Sequence, residues 1–158
     1  MEPFIPFVAI AIFMLVLNVI RMPATLRNSV VIDRPIDVVF SFISEPTNIP
    51  IWSTHVSNVR LLTERPVEEG ARWTFAVGTV ELTYQIMRLE PPSLMVVEGH
   101  GPRMSNSVEY RLVPRGGATE LALIMKSRVP AIQALVIGVI GGTRSNSDLI
   151  RLKTTLES

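Results

Sequence analysis

The chain has 158 residues, 15 Lys and Arg against 14 Asp and Glu, a formal net charge of +1 and no cysteine. This length fits one ordinary domain. The balanced charge argues against nucleic-acid binding, and the lack of cysteine excludes a disulfide framework.

Residues 3–20 form an uncharged run in which only Asn18 is strongly polar. As a helix at about 1.5 Å per residue, the run reaches roughly 27 Å, close to the ~30 Å hydrocarbon layer of a bilayer. Pro6 falls in the first turn, where a missing N–H costs little. Glu2 precedes the run and Arg21-Met22-Pro23-Ala24 follows it. A cleavable signal peptide would instead have leading positive charge and a small-residue cleavage site. The expectation is a retained single-pass transmembrane anchor over 1–22. Arg21, Arg27 and Arg34 flank its C-terminal side, and the positive-inside rule then puts the remaining domain in the cytoplasm. Residues 23–28, including Pro23, read as a short connector. At most ~3.5 Å per residue, it holds a domain over 29–158 close to the bilayer.

Residues 29–32 read as a first strand, β-branched and bounded by Asn28 and Asp33. A helix led by Pro35 follows, with Ile36, Val39, Phe40 and Ile43 at i, i+3, i+4 and i+7. A short helical turn is expected over 49–52. The pattern then changes to period two, giving strands over 56–62, 72–77, 80–90, 94–98, 104–113 and 120–129. Trp73, Phe75 and Val77 share one face, as do Val80, Leu82, Tyr84 and Ile86, then Val108, Tyr110 and Leu112, then Leu121, Leu123 and Met125. Residues 99–102 read as a loop carrying His100, and Arg115-Gly116-Gly117 as a hairpin turn. Residues 131–156 read as helix, with Leu149, Leu152 and Leu156 on its apolar face. Gly138, Gly141 and Gly142 are awkward there, at up to ~1 kcal/mol each relative to Ala. The order predicts an α+β fold in which a curved antiparallel sheet wraps a long C-terminal helix.

Several segments resemble the START-related helix-grip superfamily, which includes polyketide cyclase/dehydrase-like and Bet v 1-like (SRPBCC) proteins. They are Val31-Ile32-Asp33-Arg34-Pro35-Ile36, then Asn48-Ile49-Pro50-Ile51-Trp52, then Glu69-Gly70-Ala71-Arg72-Trp73. Leu89-Glu90-Pro91-Pro92, Gly116-Gly117-Ala118-Thr119-Glu120-Leu121 and the ending 149–157 complete the set. The resemblance covers about residues 28–158. It implies a deep, mostly apolar cavity between the concave sheet and the C-terminal helix, used in relatives for lipids, sterols, polyketides, quinones or pigments. Some relatives cyclise or dehydrate their substrates, and others only bind.

The expected ligand-binding set is Trp52, Trp73, Phe75, Leu82, Tyr84, Val108, Tyr110, Leu123 and Met125. Buried phenols need hydrogen-bond partners, and an apolar hollow with a few polar groups is the usual form of a small-molecule site. His55 and His100 have no metal-ligand spacing around them, so neither a metal nor another cofactor is expected. No nucleophile elbow, P-loop or dinucleotide fingerprint occurs. The leading expectation is a membrane-anchored binding module for a hydrophobic small molecule (lipid, quinone, isoprenoid or pigment). The alternatives are an accessory subunit of a larger membrane protein complex, and a cyclase or dehydratase using Tyr84, Tyr110, His100 or Glu98. Glu109, by strand parity, should face solvent.

Overall fold

Alternating side chains build most of this molecule. The computed structural model describes residues 4–102, 104–136 and 142–158. Helix α1 (Phe4–Val19) leads into strand β1 (Arg21–Ile32), then α2 (Ile36–Ile43), a 3-10 turn (Pro46–Asn48) and α3 (Ile49–Trp52). The meander β2 (Val56–Leu61), β3 (Arg72–Val77), β4 (Val80–Glu90), β5 (Leu94–His100), β6 (Ser105–Arg115) and β7 (Ala118–Pro130) follows, then α4 (Ala131–Val136) and α5 (Gly142–Glu157). All seven strands form one antiparallel sheet in the order β1-β7-β6-β5-β4-β3-β2.

The inward face follows the period-two reading. Trp73, Phe75, Leu82, Tyr84, Ile86, Val108, Leu112, Leu121 and Leu123 are buried, and Met125 and Tyr110 are partly so. Val77 and Val80 share that parity but sit at a hairpin tip and stay exposed. The tight β6–β7 turn uses Gly116 and Gly117 at φ of 58° and 97°, the left-handed backbone that a two-residue hairpin loop requires.

Two expectations are corrected at the N-terminal side. Residues 23–28, expected as connector, are strand: β1 starts at Arg21 and pairs with β7 from Arg21–Pro130 through to Ile32–Thr119. Pro23 fits because β1 is an edge strand, where a missing ladder N–H is tolerated. Within the described residues α1 has 16 residues, about 24 Å at 1.5 Å per residue. Among the described residues no helix is long and apolar enough to cross a bilayer, so the expected transmembrane span is not found.

His100, expected in a loop, ends β5 and pairs with Thr83 and Ser105. The expected single C-terminal helix is two described helices, α4 and α5, and Gly142 begins the second. Gly138 and Gly141 lie outside the described residues.

Helix α5 lies along the concave face, with Leu149 and Leu152 fully buried against Ile32, Val39 and Leu121. Burying side chains of this size contributes about 1.5–3 kcal/mol each. Polar ties fix its C-terminal half. The Lys153 ammonium donates to the Val31 carbonyl (2.6 Å), and the Arg151 Nε donates to the Ile51 carbonyl (2.9 Å). The Glu157 carboxylate accepts from the Asp33 backbone N–H (2.6 Å) and from Lys153 (2.7 Å).

The Asp33 N–H, and then Lys153, hold the Glu157 pKa below its ordinary 4.5. A lowered folded-state pKa gives stability that is complete above the unfolded value and lost as pH falls through the folded one. At neutral pH the urea midpoint of the native chain should therefore exceed that of Glu157→Gln. The gap should close as pH drops through 4.5 and below; a gap independent of pH would contradict this role.

Candidate functional site

Between the concave sheet and helices α3 and α5 lies a cavity of about 350 Å³, within the range of small-molecule sites. Its wall is mostly apolar. Strands supply Trp73, Phe75, Tyr84, Met95, Val97, Val108, Tyr110, Leu123 and Met125, and β1 adds Leu26. Ile43, Pro46, Ile49 and Trp52 close it from the α2–α3 side, and Arg144, Ser145 and Asp148 from α5.

Eight of the nine expected residues line this hollow: Trp52, Trp73, Phe75, Tyr84, Val108, Tyr110, Leu123 and Met125. Leu82 does not. It is buried beyond the wall, where a side chain at Gly101 would collide with it.

One wall is an aromatic stack. Tyr84 lies between Phe75 (centroids 4.9 Å apart) and Trp73 (6.0 Å), both near-parallel to it. Such offset pairs are worth about 0.5–1.5 kcal/mol beyond their burial. The Tyr84 phenol oxygen accepts a hydrogen bond from the Asn106 amide (2.6 Å). Burial raises the Tyr84 pKa, and the Asn106 bond opposes that shift. The stack depends on Gly99, directly opposite Tyr84 in the ladder. A Cβ there would overlap the Tyr84 ring and the Asn106 amide oxygen.

Polar groups in the cavity are few. Ser53 donates to the Asp148 carboxylate (2.9 Å), tying α3 to α5. The Tyr110 phenol has no hydrogen-bond partner among the described residues. Burial, then the proximity of Tyr84 and Asp148, raises its pKa well above the ordinary tyrosine range, so it stays a neutral O–H donor. His55 and Arg144 stand at the exposed rim.

The other proton-transfer candidates face away. Glu98 and His100 lie with Lys126 and Arg128 in a shallow groove on the outer face. Glu109 also points outward and pairs with Arg111. Among the described residues no cluster of His, Asp and Glu could hold a metal.

Sequence reasoning missed Asn106, Ser127, Ser145 and Asp148. The signals were present. Asn106 shares the parity of Val108 and Tyr110, and Ser127 that of Leu123 and Met125. Ser145 and Asp148 extend the Leu149–Leu152 stripe by i, i+3, i+4 and i+7.

A seven-stranded antiparallel sheet gripping a C-terminal helix over an apolar hollow defines a helix-grip, SRPBCC-type protein. The chain belongs to the polyketide cyclase / dehydrase and lipid transport family, whose sequence profile matches residues 23–157. The match begins within β1 and omits α1. No curated protein matches the chain.

Solved structures share the fold. The Zhui aromatase/cyclase from Streptomyces sp. R1128 superposes with a TM-score of 0.71 at 16% identity, over 86% of this chain and 94% of its own. A Deinococcus radiodurans protein gives 0.60 at 23% identity, over 85% and 97%. A Thermus thermophilus protein gives 0.65 at 14%, over 84% and 96%.

Gly99→Ala should destabilise the fold by about 1–3 kcal/mol, the usual cost of overpacking, and loosen the Tyr84–Asn106 contact. A denaturant titration and the near-ultraviolet dichroism of the aromatic stack would register both. An unchanged midpoint would show that Tyr84 can move aside freely.

Proposed function

We propose that this protein binds a hydrophobic small molecule, such as a lipid, quinone, isoprenoid or pigment, in the sheet–helix cavity, and does so at the cytoplasmic face of a membrane. The observation that carries the reading is the hollow itself: about 350 Å³, walled by aromatic and aliphatic side chains. An apolar void of this size forfeits packing energy, and an apolar ligand would restore those contacts. Family membership supports the same class of ligand. The Tyr110 hydroxyl, without a hydrogen-bond partner among the described residues, favours a ligand with an acceptor oxygen, to which this neutral phenol can donate.

The membrane half of the proposal rests on α1. Phe7, Leu15 and Val19 are 70%, 65% and 73% exposed, and Val8, Ile10, Ile12, Phe13, Met14 and Val16 are exposed around the rest of the helix. A helix that is apolar on every side is not stable in water and is buried in protein or lipid. Arg21 follows it directly and Arg27 lies further along β1, which favours the anionic cytoplasmic leaflet.

The test compares the full chain with Val108→Phe, which fills the cavity. Organic extracts of both would be analysed by mass spectrometry, and uptake of a fluorescent fatty acid measured in the same detergent. An apolar molecule enriched in the native chain, with saturable uptake that Val108→Phe loses at an unchanged melting temperature, is the expected result. Tyr110→Phe should weaken uptake by about 0.5–1.5 kcal/mol, roughly 2- to 12-fold, the net worth of one hydrogen bond. Identical extracts and no saturable uptake by the native chain would refute the binding reading.

A further inference from the structure

We propose that the cavity opens onto the bilayer itself, so that its ligand passes between lipid and protein without crossing water. This rests on the hydrophobic-ligand reading above and adds a docking surface to it.

The ladder registers fix which features share an end of the sheet. Arg21 pairs with Pro130, Pro23 with Arg128, Arg128 with Ser105, Ser105 with His100, and His100 with Thr83. Just beyond this row lie the Val77–Val80 hairpin tip and the Gly101–Met104 loop, the latter closed by the Gly101 N–H on the Met104 carbonyl (2.9 Å). The first turn of α5 comes to the same end, because Glu157 at its other terminus is bonded to Asp33, beyond the far end of β1. The cavity-lining residues that are exposed are His55, Val77 and Arg144. All three belong to this end, which is therefore the mouth.

Helix α1 leaves from the same place. The Ala131 backbone N–H donates to the Ile20 carbonyl (2.9 Å), so α4 departs beside α1. Helix α4, residues 131–136, carries only Gln133 as a strongly polar side chain. The rim exposes Met22, Val77 and Val80. Behind it, on the outer sheet face, Lys126 and Arg128 line a shallow groove whose one carboxylate is Glu98, and Arg21 stands exposed beside it at the start of β1; Arg27, two rows further along, is level with Glu109, which pairs with Arg111. Apolar helix, apolar rim and cationic belt thus succeed one another along a single direction. That is the sequence hydrocarbon, interface, phosphate met on leaving an anionic bilayer.

The native chain has no cysteine, so single labels report orientation cleanly. Val80→Cys at the rim and Ser93→Cys at the opposite end would each carry an environment-sensitive fluorophore. The labelled full chains would be bound to phosphatidylcholine vesicles with and without phosphatidylglycerol. The Val80 label should shift to the blue and be quenched by lipid-borne quenchers, while the Ser93 label stays in water. A double Lys126→Glu, Arg128→Glu variant should lose several-fold in affinity for the anionic vesicles and little for the neutral ones.

A Val80 label in water on vesicle-bound protein overturns the docking. If fatty-acid uptake in detergent persists in that case, the ligand reading survives alone. A shielded Val80 label indifferent to lipid quenchers would mean that a protein covers the rim, and would also overturn the proposal. Loss of uptake with the label in lipid would remove the ligand reading and the route with it.

Discussion

The pairing of β1 with β7 is the constraint on which the rest of the molecule depends. It runs without interruption from Arg21–Pro130 to Ile32–Thr119. It begins at Arg21, just past the end of α1 at Val19. It turns Leu26 into the cavity and Ile32 into the core, while Arg21 and Arg27 face outward. A one-residue slip would exchange those faces and bury both guanidinium groups. It also gives α5 a strand to lie on, through the Lys153 bond to Val31.

The interior is divided unequally along the sheet. Near the β6–β7 turn, Ile32, Val39, Leu112, Leu121, Leu149 and Leu152 form a closely packed core with almost no exposed surface. Toward the other end the side chains spread apart and leave the hollow. Stability and binding capacity therefore reside in different halves of one core. The packed half can anchor the fold while the hollow half retains the space that a ligand would occupy. Gly99 illustrates the fine adjustment between them: the absence of its side chain is what admits the Tyr84 ring to the wall.

Much of this was legible from alternation alone. Trp73 and Phe75, Leu82 and Tyr84, Val108 and Tyr110, Leu123 and Met125 each declare their face by parity, and the helix stripe of Val39, Phe40 and Ile43 is equally clear. The failures have physical causes. Pro23 and the polar residues around it looked like a connector because the edge position of β1, which excuses a proline, is known only from the assembled sheet. Gly99-His100-Gly101 looked like a loop because a strand glycine usually marks a break; here it accommodates a ring from the neighbouring strand. The apolar run before Arg21 was plain, and among the described residues it forms the 16-residue helix α1. Asp148 was passed over because one carboxylate in an apolar stripe reads as a surface residue until Ser53 is found beneath it.

The hydrogen bonds described between α5 and the rest of the protein begin at Asp148 and continue through Arg151, Lys153 and Glu157. Ahead of them, Ser147 bonds only to Thr143 within the helix itself. Among the described residues, the helix is thus latched from Asp148 to Glu157, and its leading turn makes no hydrogen bond to the rest of the protein. Should the hollow need to widen for a bulky guest, tilting that leading turn outward would break no bond in this set, and the hinge would fall at Asp148.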